Sequence, residues 1–71
     1  MYPNLRAELA RKGLSLEDVA RIIGKSVNAA SMKLNGRRDF RLGECKALAE
    51  TLGLPIDVLF AYGAEPAGGR N

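Results

Sequence analysis

Seventy-one residues hold one folded domain and no second core, and a mix of 46% hydrophobic and 27% charged residues suits a soluble globule rather than a disordered chain. One cysteine and no histidine exclude an internal disulfide, His-assisted nucleophilic catalysis and the commonest nitrogen ligand of a metal site, so no enzyme, metal or cofactor is expected. The net charge of +3 is unevenly placed: residues 25–46 carry net +4, residues 1–24 net +1 and residues 47–71 net −2.

No segment alternates apolar and polar residues as a half-buried strand does, and the apolar spacing is helical throughout. Tyr2, Leu5 and Leu9 recur at three- and four-residue steps, Pro3 suits a first turn and Gly13 a stop, which predicts a first helix over about 3–12. Ser15 can cap a second helix whose first turn carries Glu17 and Asp18 against the positive helix end, with Val19, Ala20 and Ile23 on its inner face. Gly24 closes it after about two turns. Ser26 caps a third helix over 27–34, whose apolar positions Val27, Ala30 and Leu34 fall at i, i+3 and i+7 before Asn35-Gly36 stops it. Gly36 to Arg41 reads as a basic loop with Phe40 tucked inward. Cys45, Leu48, Ala49 and Leu52 mark a fourth helix over 42–52, and a short fifth turn follows Pro55 with Ile56, Leu59 and Phe60 as its apolar contacts. Residues 1–62 are therefore expected to form the domain, and the Gly- and Pro-rich 63–71 a flexible tail.

The informative unit is 15–36, a capped short helix with alanine at its fifth position and glycine at its ninth, then a second capped helix. Small Ala20 allows close helix approach, and Gly24 allows the left-handed turn of a helix-turn-helix. Ser15-Leu16-Glu17-Asp18-Val19-Ala20, Gly24, Ser26, Leu34-Asn35-Gly36 and the run from Leu52 to Phe60 resemble the Cro/repressor-type helix-turn-helix regulators, especially short prophage-borne members. That resemblance covers roughly residues 4–60 and implies an all-α, five-helix, lambda-repressor-like DNA-binding domain. It also implies that the helix over 27–34 enters the major groove.

On a 100° wheel with Ala30 and Leu34 inward, the outward arc holds Asn28, Ser31, Met32 and Asn35, with Val27 at its edge; Val27, Asn28, Ser31 and Met32 are the candidate base contacts. Lys25, Lys33, Asn35, Arg37, Arg38 and Arg41 are the candidate backbone contacts, since phosphate contacts supply affinity without reading sequence. The chain departs from the family pattern in three ways. Leu16 stands where a glutamine usually grips the backbone, Ala29 and Met32 leave the third helix poor in bidentate hydrogen-bonders, and Arg41 occupies a cap position that favours Ser, Thr or Asp. The missing cap costs on the order of 1 kcal/mol if nothing else satisfies the donors.

Other residues have structural readings. Cys45 behaves as a small buried hydrophobe, Tyr2 and Tyr62 as packing residues, and Glu17-Asp18 as a helix start, because adjacent helical side chains diverge. The expected partner is double-stranded DNA, with a weak homodimer built on Val58, Leu59, Phe60, Ala61 and Tyr62. The alternative is a protein–protein module of antirepressor or antitoxin-like type, with Val27, Ala29 and Met32 as its contact. No apolar run approaches the roughly 20 residues of a membrane span, no signal peptide is evident and no small-molecule ligand is implied, so a cytoplasmic location is expected.

Overall fold

Five helices occupy the computed structural model, which describes residues 2–61: α1 (Pro3–Arg11), α2 (Leu16–Ile23), α3 (Val27–Leu34), α4 (Leu42–Leu52) and α5 (Ile56–Leu59). No strand occurs among the described residues. Tyr62 and the tail expected over 63–71 lie outside them.

The helix starts follow local chemistry. Ser15 Oγ accepts the Asp18 N–H at 3.2 Å while an Asp18 carboxylate oxygen accepts the Ser15 N–H at 2.8 Å, a reciprocal capping box at α2. Ser26 Oγ accepts the Ala29 N–H at 3.1 Å and opens α3. Between them Gly24 sits at φ 71°, ψ 34°, and the chain closes α2 with Lys25 N–H to Ala20 O at 2.9 Å and Gly24 N–H to Arg21 O at 3.2 Å. This paired closure is a Schellman turn, and the left-handed residue at its centre is what lets α3 leave α2 at a sharp angle.

α2 packs against both α3 and α4. Ala20 and Ala30 are buried between larger neighbours, Val19, Ile23, Leu34, Leu48 and Leu52, while Leu5 and Leu9 of α1 and Leu59 of α5 complete the core. α1 and α5 also meet through Asn4 Nδ2, which donates to Val58 O at 2.8 Å.

Against the same core, an aromatic trio ties the start of α1 and the end of α5 to the basic loop. The rings of Tyr2, Phe40 and Phe60 meet edge to face, with centroids 5.5 Å (Tyr2–Phe40), 5.6 Å (Tyr2–Phe60) and 5.0 Å (Phe40–Phe60) apart. Tyr2 is buried, as its packing reading requires, although it holds a left-handed backbone at φ 52°. That conformation costs a non-glycine residue about 1–3 kcal/mol, which the ring contacts offset. Phe40→Leu keeps apolar volume but removes two edge-to-face pairs. A loss of about 1–3 kcal/mol in urea unfolding is expected, and a loss below 0.5 kcal/mol, within the scatter of surface substitutions, would show that the trio does not hold the loop.

Candidate nucleic-acid interface

Helical geometry splits α3 into an anchored face and an open one. Ala30 and Leu34 are buried; Val27 and Asn28 are exposed, while Ser31 and Met32 are half-exposed. Val27, 41% exposed, is one of three large apolar side chains left open among the described residues, with Leu42 and Val58. Asn28 Nδ2 rests on Met32 Sδ at 3.9 Å, a weak acceptor one turn away, so the amide oxygen stays uncommitted. The four candidate base contacts thus share one accessible arc.

Of the candidate backbone contacts, Lys25 lies exposed in the turn before α3, Arg37 and Arg38 lie exposed just after it, and Arg41 stands exposed at the start of α4. The loop leaves α3 by a second Schellman closure, with Arg37 N–H to Met32 O at 2.8 Å and Gly36, at φ 78°, donating to Lys33 O at 3.1 Å. Asn35 is exposed at the α3 C-terminus, where its Oδ1 accepts from Arg6 Nη2 at 3.0 Å.

Lys33 corrects the sequence assignment. Its side chain is buried, and Nζ donates to both carboxylate oxygens of Glu44, at 2.6 and 2.8 Å. The ammonium is engaged inside the protein instead of facing a phosphate. On a 100° wheel Lys33 lies about 80° from the direction midway between Ala30 and Leu34, as far to one side as Ser31 lies to the other, so spacing alone does not separate the buried cation from the half-exposed hydroxyl.

Glu44 is the second residue that sequence reasoning missed. Beyond pairing with Lys33, its Oε1 accepts the Arg41 N–H at 3.0 Å. This is the carboxylate half of a capping box; it satisfies the Arg41 N–H, while Arg41 itself offers the first-turn N–H groups no side-chain acceptor of the kind Ser, Thr or Asp would supply. Burial pushes the Glu44 carboxyl upward, but the Lys33 hydrogen bonds, the Arg41 N–H and the nearby charges of Lys33 and Lys25 outweigh it and hold the group below the ordinary glutamate range. Asp18 is held low too, first by the Ser15 N–H and then by the Ser15 hydroxyl and Arg21.

Leu16 is half-buried against the core, so no polar group stands at the position where the family usually has glutamine. Cys45 is half-buried, and burial together with Glu44 raises its thiol, which keeps it protonated at neutral pH. Among the described residues no His, Cys, Asp and Glu cluster could hold a metal ion, and no helix is long and apolar enough to cross a membrane.

The sequence model of a family described as helix-turn-helix matches residues 5–59, from α1 through α5. The chain belongs to the Cro/repressor-type helix-turn-helix family. Domains of this family bind double-stranded DNA, and the family is one of DNA-binding regulators, not of enzymes. No curated protein and no solved structure matches the chain. In this helix-turn-helix regulator α2 and α3 form the motif, and the Lys33–Glu44 pair fastens its second helix to α4.

Glu44→Gln leaves the buried Lys33 charge without its counter-ion, and a loss of about 3–5 kcal/mol is expected in denaturant unfolding. The depressed Glu44 pKa adds stability above the unfolded carboxylate value of about 4.3, which is lost as pH falls through the folded value. Stability of the native protein should therefore drop more steeply below about pH 4.3 than that of the glutamine variant. Parallel acid profiles for the two would contradict the assignment.

Proposed function

We propose that this protein is a small repressor or Cro-like regulator of the short prophage type, acting in the cytoplasm, that reads the major groove with α3. Val27, Asn28, Ser31 and Met32 face base edges in this reading. Lys25, Asn35, Arg37, Arg38 and Arg41 meet phosphates, and Lys33 does not.

The observation that carries the proposal is the sorting of cations. Arg11 pairs with Glu8, Arg21 with Asp18 at 2.9 Å and Lys33 with Glu44 at 2.6 Å. By contrast Lys25, Arg37, Arg38 and Arg41, which bracket α3, have no salt-bridge partner among the described residues. Four exposed and unpaired cations at the ends of the reading helix need break no internal bond to meet a phosphate, and each phosphate met releases counter-ions.

A lone module covers few base pairs, and helix-turn-helix proteins commonly gain affinity by setting two reading helices about 34–36 Å apart on a two-fold operator. A weak homodimer formed on DNA fits this protein. Its C-terminal patch is narrower than sequence suggests, because Leu59 is fully buried and Phe60 half-buried in the aromatic cluster; Val58 and Ala61 remain exposed. Sedimentation equilibrium with a candidate operator should give two protomers per duplex and a two-fold footprint, and Val58→Asp should reduce this to one. A single protomer with an asymmetric footprint at all concentrations would remove the dimer.

Affinity and readout separate in one titration against duplex DNA at several salt concentrations. Arg37→Ala and Arg38→Ala should each weaken binding to all sequences and reduce the magnitude of the log K versus log salt slope by about 1. Asn28→Ala should instead cost about 1–3 kcal/mol at one base position and relax preference there. Binding that is absent or insensitive to salt would favour the protein–protein module, with Val27, Ala29 and Met32 as its contact.

A further inference from the structure

Three polar side chains form a chain that begins on α1 and ends on the open face of α3. Arg6 donates through Nη2 to Leu34 O at 2.9 Å and to Asn35 Oδ1 at 3.0 Å, and Asn35 Nδ2 reaches Ser31 Oγ at 3.5 Å. A guanidinium has donors only, so it tolerates one orientation of the Asn35 amide, with the oxygen toward Arg6 and the NH2 toward Ser31. Ser31 Oγ is then the acceptor inside the protein, and its own hydrogen must go elsewhere.

Within a helix a hydroxyl often returns that hydrogen to the carbonyl four residues back, as Thr51 Oγ1 does to Ala47 O at 2.9 Å. Among the described residues the Ser31 hydroxyl donates to no protein acceptor. Its hydrogen is free to point out of the half-exposed arc.

We infer that Arg6 is a positioning residue for sequence reading: by fixing the Asn35 amide it occupies one acceptor lone pair of Ser31 and biases the hydroxyl to donate outward, so Ser31 favours a base edge that presents an acceptor. The inference rests on α3 being the groove helix. In the major groove guanine offers N7 and O6, adenine N7 and thymine O4, whereas cytosine presents its N4 amino donor. Ser31 Oγ keeps a second lone pair, so cytosine is disfavoured at the base facing Ser31 rather than excluded.

The test is binding of the full chain to duplexes randomised across the footprint, with a thermal melt of each variant. The native protein should disfavour cytosine at one position by roughly 2- to 10-fold, the range of a single hydrogen bond. Ser31→Ala and Arg6→Met should abolish that discrimination, while Arg6→Lys should keep it, because an ammonium also donates to the amide oxygen. Asn35→Asp supplies two acceptors, one for Arg6 and one for Ser31; it turns the hydroxyl inward and should make cytosine the favoured base at that position, on top of a uniform loss from the added charge.

A loss for Arg6→Met that is equal at every sequence, with a salt slope smaller by about 1, would make Arg6 a phosphate contact and overturn the inference. Unchanged preference in Ser31→Ala, with Asn28→Ala still altering one position, overturns it while leaving α3 as the reader. Absence of any sequence preference in the native protein overturns both. If Arg6→Met does not fold, Asn35→Asp decides alone, since it retains Arg6: a cytosine penalty that persists there overturns the relay.

Discussion

A buried lysine and a buried glutamate, joined through both carboxylate oxygens, govern where α3 lies. Removing two charges from water carries a desolvation penalty that their attraction repays only with good geometry and further hydrogen bonds. Glu44 has both, since it also accepts from the Arg41 backbone. Such a pair adds little net stability over apolar residues of the same volume, yet breaking it is expensive. Its effect is on geometry: α3 has one position relative to α4 in which neither charge is stranded.

The remaining supports of α3 act at its ends. Ser26 satisfies a donor at the N-terminus, and Arg6 satisfies the Leu34 carbonyl at the C-terminus. Phe40, five residues after Asn35, is held between Tyr2 and Phe60, so the arginine-bearing loop is pinned at its far side by residues from both ends of the described chain. Order imposed before binding lowers the entropy lost on binding, which matters for a domain with a small contact area.

Charge and polarity then divide the labour. Lys33 is consumed internally, so the positive field around α3 comes from Lys25, Arg37, Arg38 and Arg41, and affinity in this reading comes mainly from phosphates. The open arc of α3 has only two hydrogen-bonding side chains, Asn28 and Ser31, set beside apolar Val27 and Met32. With so few polar readers, the orientation of each carries more weight, and discrimination leans further on thymine methyl contacts and on DNA shape.

The helix boundaries were legible in the sequence because their causes are local. Ser15, Ser26, Gly24 and Gly36 act on backbone groups within about five residues, and the α2 and α3 bounds expected from them agree with the structure. Asn28 and Met32 were legible as outward for the same reason, since helical periodicity puts them opposite Ala30 and Leu34, with Ser31 and Val27 toward the edge of that arc. Lys33 was misread and Glu44 and Arg6 were missed, because their roles depend on partners 11 and 28 residues away in the chain. A cation in a sequence shows its charge but not its counter-ion. Whether Lys33 faces DNA or Glu44, and whether Arg6 orients Asn35, is decided when α1, α3 and α4 pack, where burial makes an unpaired charge too costly to leave and sets which groups must meet.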